Sequence, residues 1–198
     1  MRVIGLTGGI ATGKSSVAAM LEELGALIID ADQLSRDIVA PGSPALSELY
    51  SCFGKQALLQ DGSFNRQAIR ELVFNDAQKR QQLEAILHPA IKLLALSRLE
   101  QARQAGVKVA IYMAPLLIEA GATDRVDEIW VVTLRPEVQI ERLMKRDGCN
   151  RDQALQIIAA QMPLDEKERH GVVLLDNSGS LEATRKQVLD AWQQRIGS

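Results

Sequence analysis

A chain of 198 residues, 46% hydrophobic and 24% charged, has the composition of one folded domain with room for insertions, and disorder is excluded. A formal net charge of −2 leaves no electrostatic footprint for nucleic acid. No apolar run is long enough to cross a bilayer, so neither a nucleic-acid nor a membrane partner is expected.

The first fifteen residues carry the densest signal. Residues 2–7 read as a short buried strand. Gly8-Gly9-Ile10-Ala11-Thr12-Gly13-Lys14-Ser15 then fits the phosphate-binding pattern G-x-x-x-x-G-K-[ST] without a mismatch. A helix follows over residues 16–24, with Val17, Met20, Leu21 and Leu24 on one face. Gly25 is placed to end it, and a second strand over 26–29 runs into Asp30-Ala31-Asp32. Further apolar runs over 108–113, 128–133 and 172–175 predict three more strands. All five runs are continuously apolar rather than alternating, as in parallel strands covered on both faces. The expected fold class is therefore α/β, a five-stranded parallel sheet with crossover helices.

Two long segments interrupt this core. Residues 35–105 read as a helical insertion, broken at Pro41-Gly42-Ser43-Pro44, turned at Asp61-Gly62-Ser63, and broken again at His88-Pro89. Residues 136–171 form a second insertion. Pro136 opens a helix that carries Arg142 and Arg146 on one face, and Asn150 caps another with Gln153 reaching back. A final helix opens after Ser180. The nucleotide-binding core is then residues 1–34, 106–135 and 172–198. The two cysteines, Cys52 and Cys149, stand in no metal-ligand spacing, and the N-terminal apolar run stops at Gly8-Gly9 rather than forming a leader. A reducing, cytoplasmic setting is the expectation.

The loop implies a nucleoside triphosphate with Mg²⁺. Backbone N–H groups of Gly8, Gly9, Ala11, Thr12, Gly13, Lys14, Ser15 and Ser16 and the dipole of the following helix suit a polyphosphate. Lys14 reaches the β- and γ-phosphates, and the Ser15 hydroxyl is the Mg²⁺ ligand. A downstream strand ending in Asp, usual in motor and switch ATPases, is missing: the third strand ends Met113-Ala114-Pro115. There is no Asn-Lys-x-Asp motif for guanine. Instead Asp30 and Asp32 follow the second strand, at the end of the sheet where ligands bind. A carboxylate there can accept the proton of an acceptor hydroxyl or hold the metal's water shell; Asp30 could equally be structural, and Asp32 also suits the N-cap of a helix starting at Gln33. Arg36 and Arg66 suit phosphate anchoring.

From Leu6 to Gly179 these motifs resemble the dephospho-CoA kinases. The phosphate loop is common to many families. The ordered set Asp30-Ala31-Asp32, Leu87-His88-Pro89 and Pro115-Leu116-Leu117, followed by Gln139, Arg142, Arg146, Gln161 and Asn177-Ser178-Gly179, is much more specific. The resemblance implies a P-loop kinase fold and transfer of the ATP γ-phosphoryl to the 3′-hydroxyl of dephospho-CoA. It implies Asp32 as base, residues 35–105 as the CoA-binding insertion and 136–171 as a lid. It also implies His88, Pro115 and Leu116 at the acceptor and Asn177 and Gly179 at the adenine. Departures from the family pattern are Met113-Ala114, Ile118 where Phe is usual, and His170-Gly171. Read from the residues alone, another small-metabolite or nucleoside-monophosphate kinase stays open, as does an ATP-dependent switch protein. Oligomeric state is not encoded in any of these features.

Overall fold

The computed structural model describes residues 1–74 and 76–197. Five strands form one sheet in the order β2-β3-β1-β4-β5: β1 (Arg2–Gly8), β2 (Leu27–Asp30), β3 (Val109–Met113), β4 (Glu128–Thr133) and β5 (Val173–Asp176). The ladders of β1 with β3, β1 with β4 and β4 with β5 are parallel. All five lie within a residue or so of the apolar runs that predict them. β1 is central and buried from Val3 to Gly8, and β3 is buried along its whole length. That double-sided cover fits continuous apolar runs, but the edge strands β2 and β5 depart from the expectation, with Leu27 and Leu174 exposed.

Two compact units divide the chain. The first comprises Met1–Ile29 and Ala102–Ser198. Its core joins Ile4, Leu6, Ile111, Trp130 and Val132 of the sheet to Val17 and Leu21 of α1 (Lys14–Glu23) and Val188 of α9 (Leu181–Arg195). Most of these side chains are fully buried, each worth about 1.5–3 kcal/mol of transfer free energy. α1 ends in a Schellman motif: Gly25 N–H donates to Glu22 O and Ala26 N–H to Leu21 O, with Gly25 at φ +95°. The same unit holds α6 (Pro136–Asp147), α7 (Arg151–Ala159) and α8 (Leu164–Glu168). Pro136 takes the first turn of α6, and Asn150 and Gln153 form the expected reciprocal capping box on α7.

The second unit is Asp30–Gln101. It carries α2 (Ala31–Asp37), α3 (Pro44–Phe53), α4 (Arg66–Phe74) and most of α5 (Ala77–Gln104). The turns at Gly42 and Gly62 form as expected, both with positive φ. The expected break at His88-Pro89 does not form: α5 runs straight through, with Pro89 inside it. Proline removes an N–H donor and crowds the preceding turn. Against that stands an apolar stripe, Leu83, Ile86, Leu87, Ala90, Ile91 and Leu94, which keeps helical phase across Pro89 and packs on Ile38, Leu49, Phe53 and Ile69. Burial of that stripe outweighs the one lost hydrogen bond.

Candidate active site

The loop between β1 and α1 is tightly built. A Cβ on Gly8 would collide with the carbonyl of Val132, and one on Gly9 would lie 2.7 Å from Gln139 Nε2. Gly13 has φ +89°, and a Cβ there would fall on Asn177 Nδ2. Ala11, with φ +59°, is the single non-glycine with positive φ among the described residues. That conformation costs an L-residue about 1–2 kcal/mol, and such strain collects at functional loops. Thr12 is fully buried and its Oγ1 donates to Gly9 O at 2.9 Å. Lys14 Nζ donates to Gly8 O at 2.9 Å and Gly9 O at 2.8 Å, so the ammonium lies over the loop. α1 has no side-chain cap, and Ser15 and Ser16 are exposed in its first turn. An uncapped helix start behind a glycine loop is a site for an anion.

Side chains from distant elements hold the loop. Asn177, after β5, donates from Nδ2 to Thr12 O at 2.7 Å and accepts from Thr184 Oγ1 at 2.9 Å. Arg142 of α6 donates from Nη2 to Asn177 O at 2.8 Å, and its Nη1 would lie 3.8 Å from a Cβ on Gly13. The fold thus brings Arg142 to the loop. Arg146, one turn on, forms a bidentate pair with Asp147 at 2.6 and 3.0 Å and is exposed. Gly179 is exposed. At the end of β3, the Pro115 carbonyl accepts from Thr7 Oγ1 at 3.3 Å and from Lys167 Nζ at 2.8 Å. Lys167 is fully buried and also pairs with Glu119 at 2.6 Å. Leu116, beside this anchored carbonyl, is exposed.

In the second unit, Asp30 is the N-cap of α2, its Oδ1 accepting from Asp32 N–H at 2.9 Å. The helix starts at Ala31 and not at Gln33, so capping falls to Asp30 and not to Asp32. Asp32 is exposed in the first turn, and Arg36 follows one turn later. Arg66 lies over the Phe64 ring at 5.5 Å and donates to Ser35 O at 3.0 Å. Burial and the neighbouring Arg36 charge both hold the Arg66 pKa below its usual value. His88 is exposed on α5.

The sequence profile of the dephospho-CoA kinases matches residues 2–183. The chain belongs to the dephospho-CoA kinase family. A dephospho-CoA kinase of Geobacter sulfurreducens is 52% identical over 196 residues, covering 99% of this chain and 100% of the relative. A crystal structure from Thermus thermophilus superposes with a TM-score of 0.86 at 30% identity, covering 100% and 98% of the two chains. A dephospho-CoA kinase from Campylobacter jejuni, at 24% identity, shares the fold with a TM-score of 0.74 over 98% and 97%. Members of this family are ATP-dependent kinases acting on the 3′-hydroxyl of dephospho-CoA.

Within this family pattern, the chemical roles of some residues show only in the fold. Gln139 and Gln161 stand in the family order but carry no chemical signature of their own. Lys167 reads as one charge among many in Asp165-Glu166-Lys167-Glu168-Arg169. Only the tertiary fold turns it inward. Gly171 also gains a reason: a Cβ there would lie 2.7 Å from Val131 Cγ2, so the His170-Gly171 departure fits a close approach to β4.

Proposed function

We propose that the phosphate loop binds MgATP and that the chain transfers its γ-phosphoryl to O3′ of dephospho-CoA, giving CoA and ADP. The observation carrying this reading is the glycine loop whose Lys14 ammonium lies on the Gly8 and Gly9 carbonyls, in a chain of this family.

The chemistry asks little covalent work of the protein; positioning and charge neutralisation dominate. Gly8, Gly9, Ala11, Thr12, Gly13 and Ser16 shape the loop around the triphosphate, and Lys14 neutralises the β- and γ-oxygens. Ser15 contributes the protein's hydroxyl to Mg²⁺, which when bound offsets phosphate charge. Among the described residues no cluster of three His, Cys, Asp or Glu could cage a metal, which suits an ion held largely by the nucleotide. O3′ attacks the γ-phosphorus, the bond to the β–γ bridging oxygen breaks, and ADP leaves. Asp32 takes the O3′ proton. Arg142 and Arg146 stabilise charge on the transferred group, with Arg146 exchanging Asp147 for phosphate as residues 136–171 close. Arg36 and Arg66 anchor the substrate's own phosphates, and His88, Pro115 and Leu116 serve the acceptor. Asn177 and Gly179 border the adenine. The expected setting is the cytoplasm; both cysteines are unpaired, and no helix among the described residues is long and apolar enough to cross a membrane.

Purified protein given dephospho-CoA and MgATP should yield CoA and ADP in equal amounts. Equal turnover of an unrelated small alcohol would contradict the assignment of the acceptor.

A further inference from the structure

Ile10 sits in the middle of the phosphate loop and is gripped at both of its main-chain polar groups. Its N–H donates to Gln161 Oε1 at 2.8 Å. Its carbonyl accepts from Gln139 Nε2 at 2.9 Å. Gln139 is buried in α6, and Gln161 is half-buried in the link from α7 to α8. The same helices bury the Ile10 and Ala11 side chains against Ile140, Leu143 and Ala154. One residue is therefore fixed by two amides and a small apolar cluster, all from residues 136–171.

The consequence follows from peptide geometry. In a trans peptide the C=O of one residue and the N–H of the next point in opposite directions. Holding the Ile10 carbonyl on Gln139 turns the Ala11 N–H away from Gln139. Asn177 does the same one step further on: its grip on the Thr12 carbonyl turns the Gly13 N–H away from Asn177. Between these two points Ala11 is held at φ +59°, a conformation that an alanine relaxes from unless its neighbours fix it.

We infer that Gln139 and Gln161 are positioning residues for the triphosphate: by clamping Ile10 they fix the Ala11 peptide with its N–H presented to the phosphates. The inference rests on the reading of this loop as the ATP phosphate site. It also limits how residues 136–171 move, since their contacts to Ile10 tie nucleotide affinity to their own placement.

The test is calorimetric MgATP binding to the full chain carrying Gln139→Met, Gln161→Met or Lys14→Ala, with the KM for dephospho-CoA and the Tm measured alongside. Each Gln→Met change should weaken MgATP roughly fivefold or more, as expected when a polar group loses its partner. The KM for dephospho-CoA should stay within about twofold, because the lost contact serves the nucleotide alone. The double variant should fall short of the product of the singles, because both act on one residue. Wild-type MgATP affinity in Gln139→Met and Gln161→Met, alongside weak binding by Lys14→Ala, would overturn the inference and leave the loop assignment standing. So would a lowered Tm with unchanged affinity in the folded protein. Unaltered binding by Lys14→Ala as well would remove the loop assignment itself. If Gln139→Met does not fold, the half-buried Gln161 carries the test alone.

Discussion

Lys167, with no solvent exposure, joins the carbonyl of Pro115 to the carboxylate of Glu119. A buried ammonium is tolerated only when its donors are satisfied, and here one acceptor is main chain and the other is charged. The pair fixes the segment after β3 from the far side of residues 136–171. Replacing Lys167 by Met should destabilise the protein by about 3 kcal/mol, near the low end for breaking a buried pair because Glu119 is partly exposed. Urea denaturation measures this; a loss below about 1 kcal/mol would mean that the pair is dispensable.

Gly13→Ala tests the packing of the loop against Asn177. The new methyl falls on Asn177 Nδ2 and the residue keeps a positive φ. Thr12 then loses its partner, and MgATP affinity should fall by roughly tenfold or more, the scale of a stranded polar group plus backbone strain. Titration of nucleotide binding reads the change directly.

Asp30 and Asp32 are two residues apart with different expected roles. Asp30→Ala removes the α2 cap and should cost about 1 kcal/mol of stability. Asp32→Asn should lower kcat far more than it weakens ATP binding, by roughly 10²-fold or more if it is the base. Steady-state kinetics and denaturation on the same two proteins separate them. Near-normal kcat in Asp32→Asn would end its assignment as base.

How much of this was readable from the chain differs by feature. Uninterrupted apolar runs mark all five strands, the buried β1 and β3 and also the partly exposed edges β2 and β5, so the sheet and the loop between β1 and α1 are plain in the sequence. Pro89 misleads because a single proline is a strong local signal, whereas the Leu83-to-Leu94 stripe that overrides it acts only once a partner surface exists. Asp30 and Asp32 have the same capping chemistry, so the sequence alone does not say which of them caps α2; the fold gives Asp30. The contacts of Lys167, Gln139 and Gln161 stay hidden, although both glutamines stand in the family order, because Pro115 and Ile10 offer them backbone groups distant in sequence, and backbone groups leave no residue signature.

Acid stability should depend on Glu128. Its side chain is nearly buried at the start of β4. Burial alone would raise its pKa, but hydrogen bonds from Arg195 and Trp130 and the Arg2 and Arg195 charges together hold it below the usual glutamate value. A lowered folded-state pKa means the unfolded chain takes up the proton first. The stabilisation is therefore complete above the unfolded value of about 4.3 and is lost as pH falls through the folded value. Glu128→Gln should be less stable than wild type at pH 7 and should lose less stability on acidification below about pH 5. Chemical denaturation across pH 3–7, a range set around that unfolded value, checks it. Parallel curves would contradict the role given to Glu128.

The central claim, that this loop serves phosphoryl transfer to dephospho-CoA, is tested most directly by following ADP release from MgATP with and without dephospho-CoA, in wild type and in Lys14→Ala. The account predicts fast, acceptor-dependent ADP release with matching CoA formation in wild type, and a loss of roughly 10²-fold or more in Lys14→Ala. ADP release that ignores dephospho-CoA, or that survives loss of the Lys14 ammonium, would contradict it.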